Sequence, residues 1–166
     1  MNNARTALYL DTCAIIEAHR VGCWPNILSR FETHTVKSCR DELAAGDPSD
    51  PAYVPVDMSR IDADVVVHSP TAIQVASAIL KSATMRGVQD GERDLLAWCA
   101  AQAPGAMILT TGDRAAIVAA CELDLKDSLR SLEELAAIAG LHPALQNHYY
   151  TKWLTDIRTK WLLENL

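Results

Sequence analysis

The sequence predicts an α/β domain, a three-layer α/β/α arrangement whose mostly parallel central sheet is flanked by helices, with an amphipathic helix added at the C-terminus. Short apolar runs alternate with longer stretches of helical periodicity, the pattern of parallel strands joined by crossover helices. The two clearest runs, TALYL (residues 6–10) and AMILT (residues 106–110), are each followed by an aspartate, at once or after a short turn. The chain has 166 residues, 49% apolar and 22% charged, enough for one core without disulfides or metal staples.

The first strand presents Asp11 at its C-terminal end, and Thr12 can cap a helix over 13–19. Gly22 and Pro25 break that helix, and Pro25 opens a second over 25–31. THTVKS (33–38) has strand character, with Ser38 placed to cap a helix over 39–45 that Gly46 ends. Residues 47–55, rich in Pro, Asp and Ser, form a loop, and 64–68 reads as a strand or extended connector. Pro70 and Thr71 open a long helix to about Met85, with Ile73, Val75, Ala76, Ile79 and Leu80 on its buried side. Gly87 and Gly91 frame the next break. A helix over 92–102 follows, closed by Pro104 and Gly105. Asp113 opens a helix over 114–121, residues 121–126 form one more short strand, and 131–139 is a helix stopped by Gly140. The tail helix spans 149–166, so residues 1–140 form the domain and 141–166 an extension, packed on it or at an interface.

Five cysteines without a C-x-x-C pair indicate reduced thiols and a cytoplasmic protein; Cys99 and Cys121, in apolar surroundings, are core residues. No secretory leader and no apolar run of membrane-spanning length is visible. The net charge of −6 disfavours broad nucleic-acid binding through a basic surface, though not an enzyme that acts on nucleic acid.

The chemistry lies in the carboxylates. Ligands of open α/β sheets bind beyond the carboxyl ends of the strands, where both Asp11 and Asp113 should point. The alternative role for each is a helix cap or turn residue. Glu42, in the early turns of the helix after THTVKS, is a third candidate, beside Asp41; its alternative is a solvated helix charge. In DGERDLLAW, Glu92 heads the apolar face of Leu95, Leu96 and Cys99. Asp94 lies about 200° away by helix geometry, heads Ala97, Trp98 and Ala101, and is the reserve choice. Carboxylates gathered in one crevice repel each other unless a cation neutralises them, and an all-oxygen donor set suits Mg²⁺ or Mn²⁺. Thr110 and Thr111 offer hydroxyls to a metal-held water or a phosphate oxygen, or simply to strand-end hydrogen bonds. Arg93 and Arg114 either contact substrate phosphate or pair with neighbouring acids. His34 and His68 show no partner spacing for a general base.

YLDT with Asp11, CRDEL with Glu42, GERDLLAW with Glu92 and ILTTGDRAA with Asp113, in that order, resemble a PIN domain, and LDLKDSLRSLEELAAIAG resembles the family's closing strand and helix. The likeness covers most of residues 6–140. It implies a PIN-like fold and a Mg²⁺- or Mn²⁺-dependent endoribonuclease, with Asp11, Glu42, Glu92 and Asp113 as the metal-site acids and Thr111 and Arg114 toward substrate. It also implies hydrolysis that leaves a 5′-phosphate and a 3′-hydroxyl. Because such domains form the nuclease part of VapC-type toxin–antitoxin pairs, it brings an antitoxin into view as a partner beside RNA; a homodimer is offered by the aromatic tail helix instead. The chain departs from the short toxin pattern in the long stretch between Glu42 and Glu92 and in its helical tail. Tyr150, Trp153, Leu154, Ile157 and Trp161 of that tail stand at helical spacing, for docking on the domain or on a partner. A catalytically inactive PIN-like module that binds protein or RNA is the rival reading. A different α/β phosphoryl-transfer enzyme fits less well: Asp11-x-Cys13 lacks the second acid of a D-x-D motif, and neither a G-x-x-x-x-G-K-[ST] nor a G-x-G-x-x-G loop occurs.

Overall fold

The computed structural model describes residues 4–103 and 105–166. Pro104, assigned above to the closing of a helix, lies outside the described residues.

The chain is an α/β fold around an all-parallel sheet. Its strands are β1 (Ala7–Leu10), β2 (Glu32–Val36), β3 (Val66–His68) and β4 (Met107–Thr110), in the spatial order β3-β2-β1-β4. Leu8 pairs with Thr33 on one side and Ile108 on the other, so β1 is central. Helices α1 (Thr12–Arg20) and α2 (Trp24–Arg30) connect β1 to β2, and α3 (Lys37–Ala44) and α4 (Met58–Asp64) connect β2 to β3. Helices α5 (Ala72–Lys81) and α6 (Asp90–Ala100) carry the chain back across the sheet to β4, and α7 (Arg114–Glu122), α8 (Leu132–Ile138) and α9 (Thr151–Glu164) follow.

The strand pleat divides the core into two layers. Leu8 and Leu10 face one side and pack with Ala14, Ile15, Ile27, Leu132 and Leu135. Tyr9 faces the other and joins Leu95, Leu96, Leu109 and Ile117. The C-terminal extension closes both: Leu145 and Tyr149 enter the first layer, Leu154 and Ile157 the second. Among the described residues no helix is long and apolar enough to cross a membrane.

Several local expectations are corrected. Asp11, not Thr12, caps α1; its backbone is extended and its carboxylate accepts the Ala14 N–H at 2.7 Å. The second strand starts and ends early, at Glu32 and Val36, so α3 begins at Lys37 and Ser38 lies inside it rather than capping it. Helix α4 was not anticipated because in MSRIDAD only Ile61 is buried, leaving no apolar period to read; the Asp57 cap and an Arg40–Asp62 ion pair at 2.8 Å hold it. The helix opened by Thr71 stops at Lys81, and Ser82 caps a 3₁₀ turn over Ala83–Gly87. Gly91 lies within the first turn of α6 instead of in the break before it.

Residues 121–126 are not a strand. Helix α7 runs to Glu122, Asp124 takes a left-handed φ of 62°, and the Leu125 N–H returns to the Ala120 carbonyl at 2.8 Å, a helix-closing motif. The 3₁₀ turn Lys126–Ser128 follows, and only a single bridge, Leu109 to Leu129, extends the sheet. The tail helix starts at Thr151, after a 3₁₀ turn over Asn147–Tyr149.

Ser131 caps α8 in a reciprocal box with Glu134, and its hydroxyl lies 2.7 Å from that of Thr151 at the start of α9. Ser131→Ala should therefore lower stability by about 1–2 kcal/mol, read as a lower urea midpoint with an unchanged slope.

Candidate active site

The carboxyl ends of β1 and β4, adjacent in the sheet, place Asp11 and Asp113 at neighbouring helix starts. Each is the N-cap of its helix, Asp11 of α1 and Asp113 of α7, where the Asp113 carboxylate accepts the Ala116 N–H at 2.7 Å. The capping alternative is therefore realised by both side chains, and in each one carboxylate oxygen ties the helix while the other takes no part in the cap.

For Asp11 that second oxygen is unusual. The residue is fully buried and its Oδ2 has no hydrogen-bond partner. Glu92, in the first turn of α6 and 6% exposed, likewise leaves Oε2 buried and unpartnered. A buried carboxylate oxygen left without a donor is costly, so two such oxygens from distant segments mark a place where a positive group is wanted.

Burial pushes the Asp11 carboxyl up to about 7 against the pull of the Thr111 hydroxyl and the Ala14 N–H, and the charges of Glu92 and Asp113 push the same way. Glu92 is raised too, first by burial, with its own backbone N–H opposing and Asp113 and Glu42 adding repulsion. Glu42, exposed, accepts a 2.5 Å hydrogen bond from the Thr12 hydroxyl. The four expected acids therefore act on one another electrostatically. Among the described residues, no group of three or more His, Cys, Asp or Glu side chains is arranged to hold a metal ion. The oxygens best suited to receive a cation are those of Asp11 and Glu92.

The secondary candidates separate clearly. Asp94 accepts a 2.7 Å hydrogen bond from Ser38, which ties α6 to α3. Asp41 is exposed and paired with Lys37 and Arg40. The Thr110 hydroxyl donates to the Arg130 carbonyl at 2.9 Å, whereas Thr111, beside Asp11, accepts the Asp113 N–H at 3.1 Å. Arg93 pairs with Asp90; Arg114, exposed at the start of α7, has no carboxylate partner among the described residues.

Residues the sequence did not single out complete the surroundings. Cys13 feels Asp11, Glu92, Glu42 and Asp113, which together with desolvation, the largest cause, push its thiol up to about 12. Gly91 leaves room for Glu42: a Cβ there would stand 2.8 Å from Oε1 and 3.0 Å from Oε2. Gly112, between Thr111 and Asp113, is covered by the extension: a Cβ would meet Tyr149 Cε1 at 2.6 Å and His148 Cδ2 at 2.7 Å. Tyr149 is buried, which raises its phenol, and Asp11, Cys13, Glu17 and Glu92 raise it further. Spacing could flag the two glycines beside acids; nothing in the sequence pairs residue 149 with residue 112.

His34 and His68 do meet, away from these acids. Their Nδ1 and Nε2 atoms are 2.8 Å apart, within a ladder of Tyr9, His34, His68 and Trp98 rings spanning β1, β2, β3 and α6. Parallel strand pairing brings them together across 34 residues, which a search for close spacing misses.

Gly91→Ala should displace the Glu42 carboxylate from Thr12 and weaken Mn²⁺ binding about tenfold in calorimetric titration, the scale of losing a partner that orients a ligand. Comparison with protein-family models, curated proteins and solved structures finds no match to this chain.

Proposed function

We propose that the chain is a PIN-type, Mg²⁺- or Mn²⁺-dependent endoribonuclease. The observation that carries this reading is the pair of buried, unpartnered carboxylate oxygens, Asp11 Oδ2 and Glu92 Oε2, at the strand-end crevice. An ion there would be held by Asp11 and Glu92, with Glu42 and Asp113 adding negative charge around it. When bound it would supply Lewis-acid activation of water and relief of charge at phosphorus.

The chain's own groups take the remaining tasks. Thr111, beside Asp11, pulls its carboxyl toward the ionised form. Arg114, exposed and without a carboxylate partner among the described residues, is the side chain proposed to contact a substrate phosphate. Water oxygen bonds to phosphorus as the bond from phosphorus to the 3′-oxygen breaks, leaving a 5′-phosphate and a 3′-hydroxyl. A toxin role with an antitoxin partner rests on the family resemblance alone, against the long stretch between Glu42 and Glu92 and the helical tail, and is part of the same proposal.

The test is incubation of the purified protein with a mixed-sequence single-stranded RNA and Mn²⁺, with end-group analysis of the products. Cleavage to 5′-phosphate ends, lost in Glu92→Gln, is the expected result. Uncut RNA, or equal cutting by Glu92→Gln, defeats the proposal. Induced expression that slows growth in the parent but not in Glu92→Gln would support the toxin role.

A further inference from the structure

Beside Glu42 lies a pocket of about 210 Å³. Its lining is mixed, with the apolar part built from Ile16 of α1, Leu43 of α3, and Val54 and Val56 of the connection to α4. One wall is the ring of Tyr53, whose edge lies against Gly46 so closely that a Cβ there would stand 2.8 Å from Cε2. The rim carries Glu42, Asp47 and Asp50. Asp47 spends Oδ1 on Ser49 and Asp50 spends Oδ1 on the Ala52 N–H, so each rim aspartate keeps its Oδ2 as an acceptor.

We infer that this pocket is a nucleobase subsite that takes guanine from single-stranded RNA next to the phosphate being cleaved. The inference rests on the ribonuclease reading and adds a substrate preference to it. Glu42 belongs both to the acid cluster and to the pocket, so a base seated here is contiguous with a phosphate at Asp11 and Glu92. Aliphatic walls and one aromatic ring suit a flat heteroaromatic base, whose faces stack without regard to sequence. The rim supplies the preference. Carboxylates only accept hydrogen bonds, and guanine alone among the four bases presents two adjacent donors, N1–H and the N2 amino group, on its Watson–Crick edge. Uracil places its single donor between two carbonyls that the rim would repel; adenine and cytosine set an acceptor beside their amino group.

The experiment is saturation-transfer NMR on the metal-free protein with guanosine, 1-methylguanosine and uridine as probes. Guanosine should bind, and 1-methylguanosine, which lacks the N1–H, about tenfold more weakly. Tyr53→Leu and Gly46→Ala should each weaken guanosine about tenfold while leaving the circular dichroism spectrum and Mn²⁺ affinity as in the parent. No transfer to guanosine, equal transfer to all three nucleosides, or displacement of guanosine by a lower concentration of N-acetylarginine amide (an acidic pocket made for a protein's arginine) would each overturn the inference. Mn²⁺ titration separates the two proposals: RNA cleavage with Mn²⁺ but without guanosine binding sinks the base subsite alone. Guanosine binding without Mn²⁺ binding or RNA cleavage sinks the nuclease reading and leaves a guanine-binding pocket.

Discussion

Asp11→Asn should abolish metal-dependent RNA cleavage and, in the same protein freed of metal, raise stability at neutral and alkaline pH. The activity loss should exceed about a hundredfold, the upper range for removing a mere outer-shell partner of a metal ligand. The stability gain follows from linkage. The carboxyl titrates near 7 in the folded chain, pushed there by burial, against an ordinary value of 3.8. An acid raised on folding makes the folded state the better proton binder, so its effect on stability is absent below about pH 4. Stability then falls as pH rises to about 7 and stays low above it. The full difference is on the order of 4 kcal/mol, at about 1.4 kcal/mol per pKa unit. Glu92, raised for the same first reason, adds a decline of the same sign. The measurement is thermal unfolding in chelator at pH 4 and pH 8: the Asn variant should gain over the parent at pH 8 and not at pH 4. Mn²⁺ should raise the parent's melting temperature at pH 8 and leave the variant's unchanged. Equal pH profiles for the two proteins would mean that Asp11 is not the strained group, and unreduced cleavage by the variant would end its catalytic assignment.

What could be read from the sequence follows the range of the forces involved. The β1 and β4 runs declare themselves because strands buried on both faces need continuous apolar residues, and Asp11 and Asp113 stand out as the first acids beyond them. The inward burial of Glu92 is legible because helix periodicity puts it above Leu95, Leu96 and Cys99; the Ser38 bond to Asp94 is a contact across 56 residues and has no local signature. Helix α4 escaped notice because one buried Ile61 sets no period. The false strand at 121–126 arose because alternation in CELDLK looks extended, whereas the left-handed turn at Asp124 shows only in the backbone. Helix α5 follows its reading only in part: Val75 and Ile79 pack against the core, but Ile73 and Leu80, also expected inside, are 81% and 84% exposed, Ala76 is exposed, and Ala78 is its buried residue. Neighbouring small residues decide that choice. Ala97 and Ala100 of α6 line the space beside Ala78, so small residues of both helices face each other there.

Deleting residues 141–166 should leave a chain that no longer folds cooperatively, although the four acidic candidates all precede Gly140. The extension buries Leu145, Tyr149, Leu154 and Ile157, each 8% exposed or less, and shares them between the two core layers. At about 1.5–3 kcal/mol for each such side chain, the loss is on the order of 6–12 kcal/mol, comparable with the roughly 5–15 kcal/mol that holds a domain together. Polar ties would go with it. Glu17 of α1, itself buried, accepts the Gln146 N–H at 2.7 Å, and Glu133 of α8 accepts the Thr151 N–H at 2.8 Å. Without Gln146, Glu17 keeps Arg20 but loses a buried donor. Urea unfolding of the truncated chain should therefore show no native baseline, and its near-ultraviolet dichroism should be flat. A sharp transition within about 2 kcal/mol of the parent would mean that the extension is an appendage. The milder variant Gly112→Ala isolates the contact at the site. A methyl there collides with Tyr149 and His148 at under 3 Å, and the Tyr149 ring is buried and packed while His148 is only half-buried. Cleavage should fall together with stability, by about 1–3 kcal/mol for overpacking, because the turn that must move carries Thr111 and Asp113. If stability drops while Mn²⁺ affinity and cleavage hold, the tail supports the fold without shaping the acidic site.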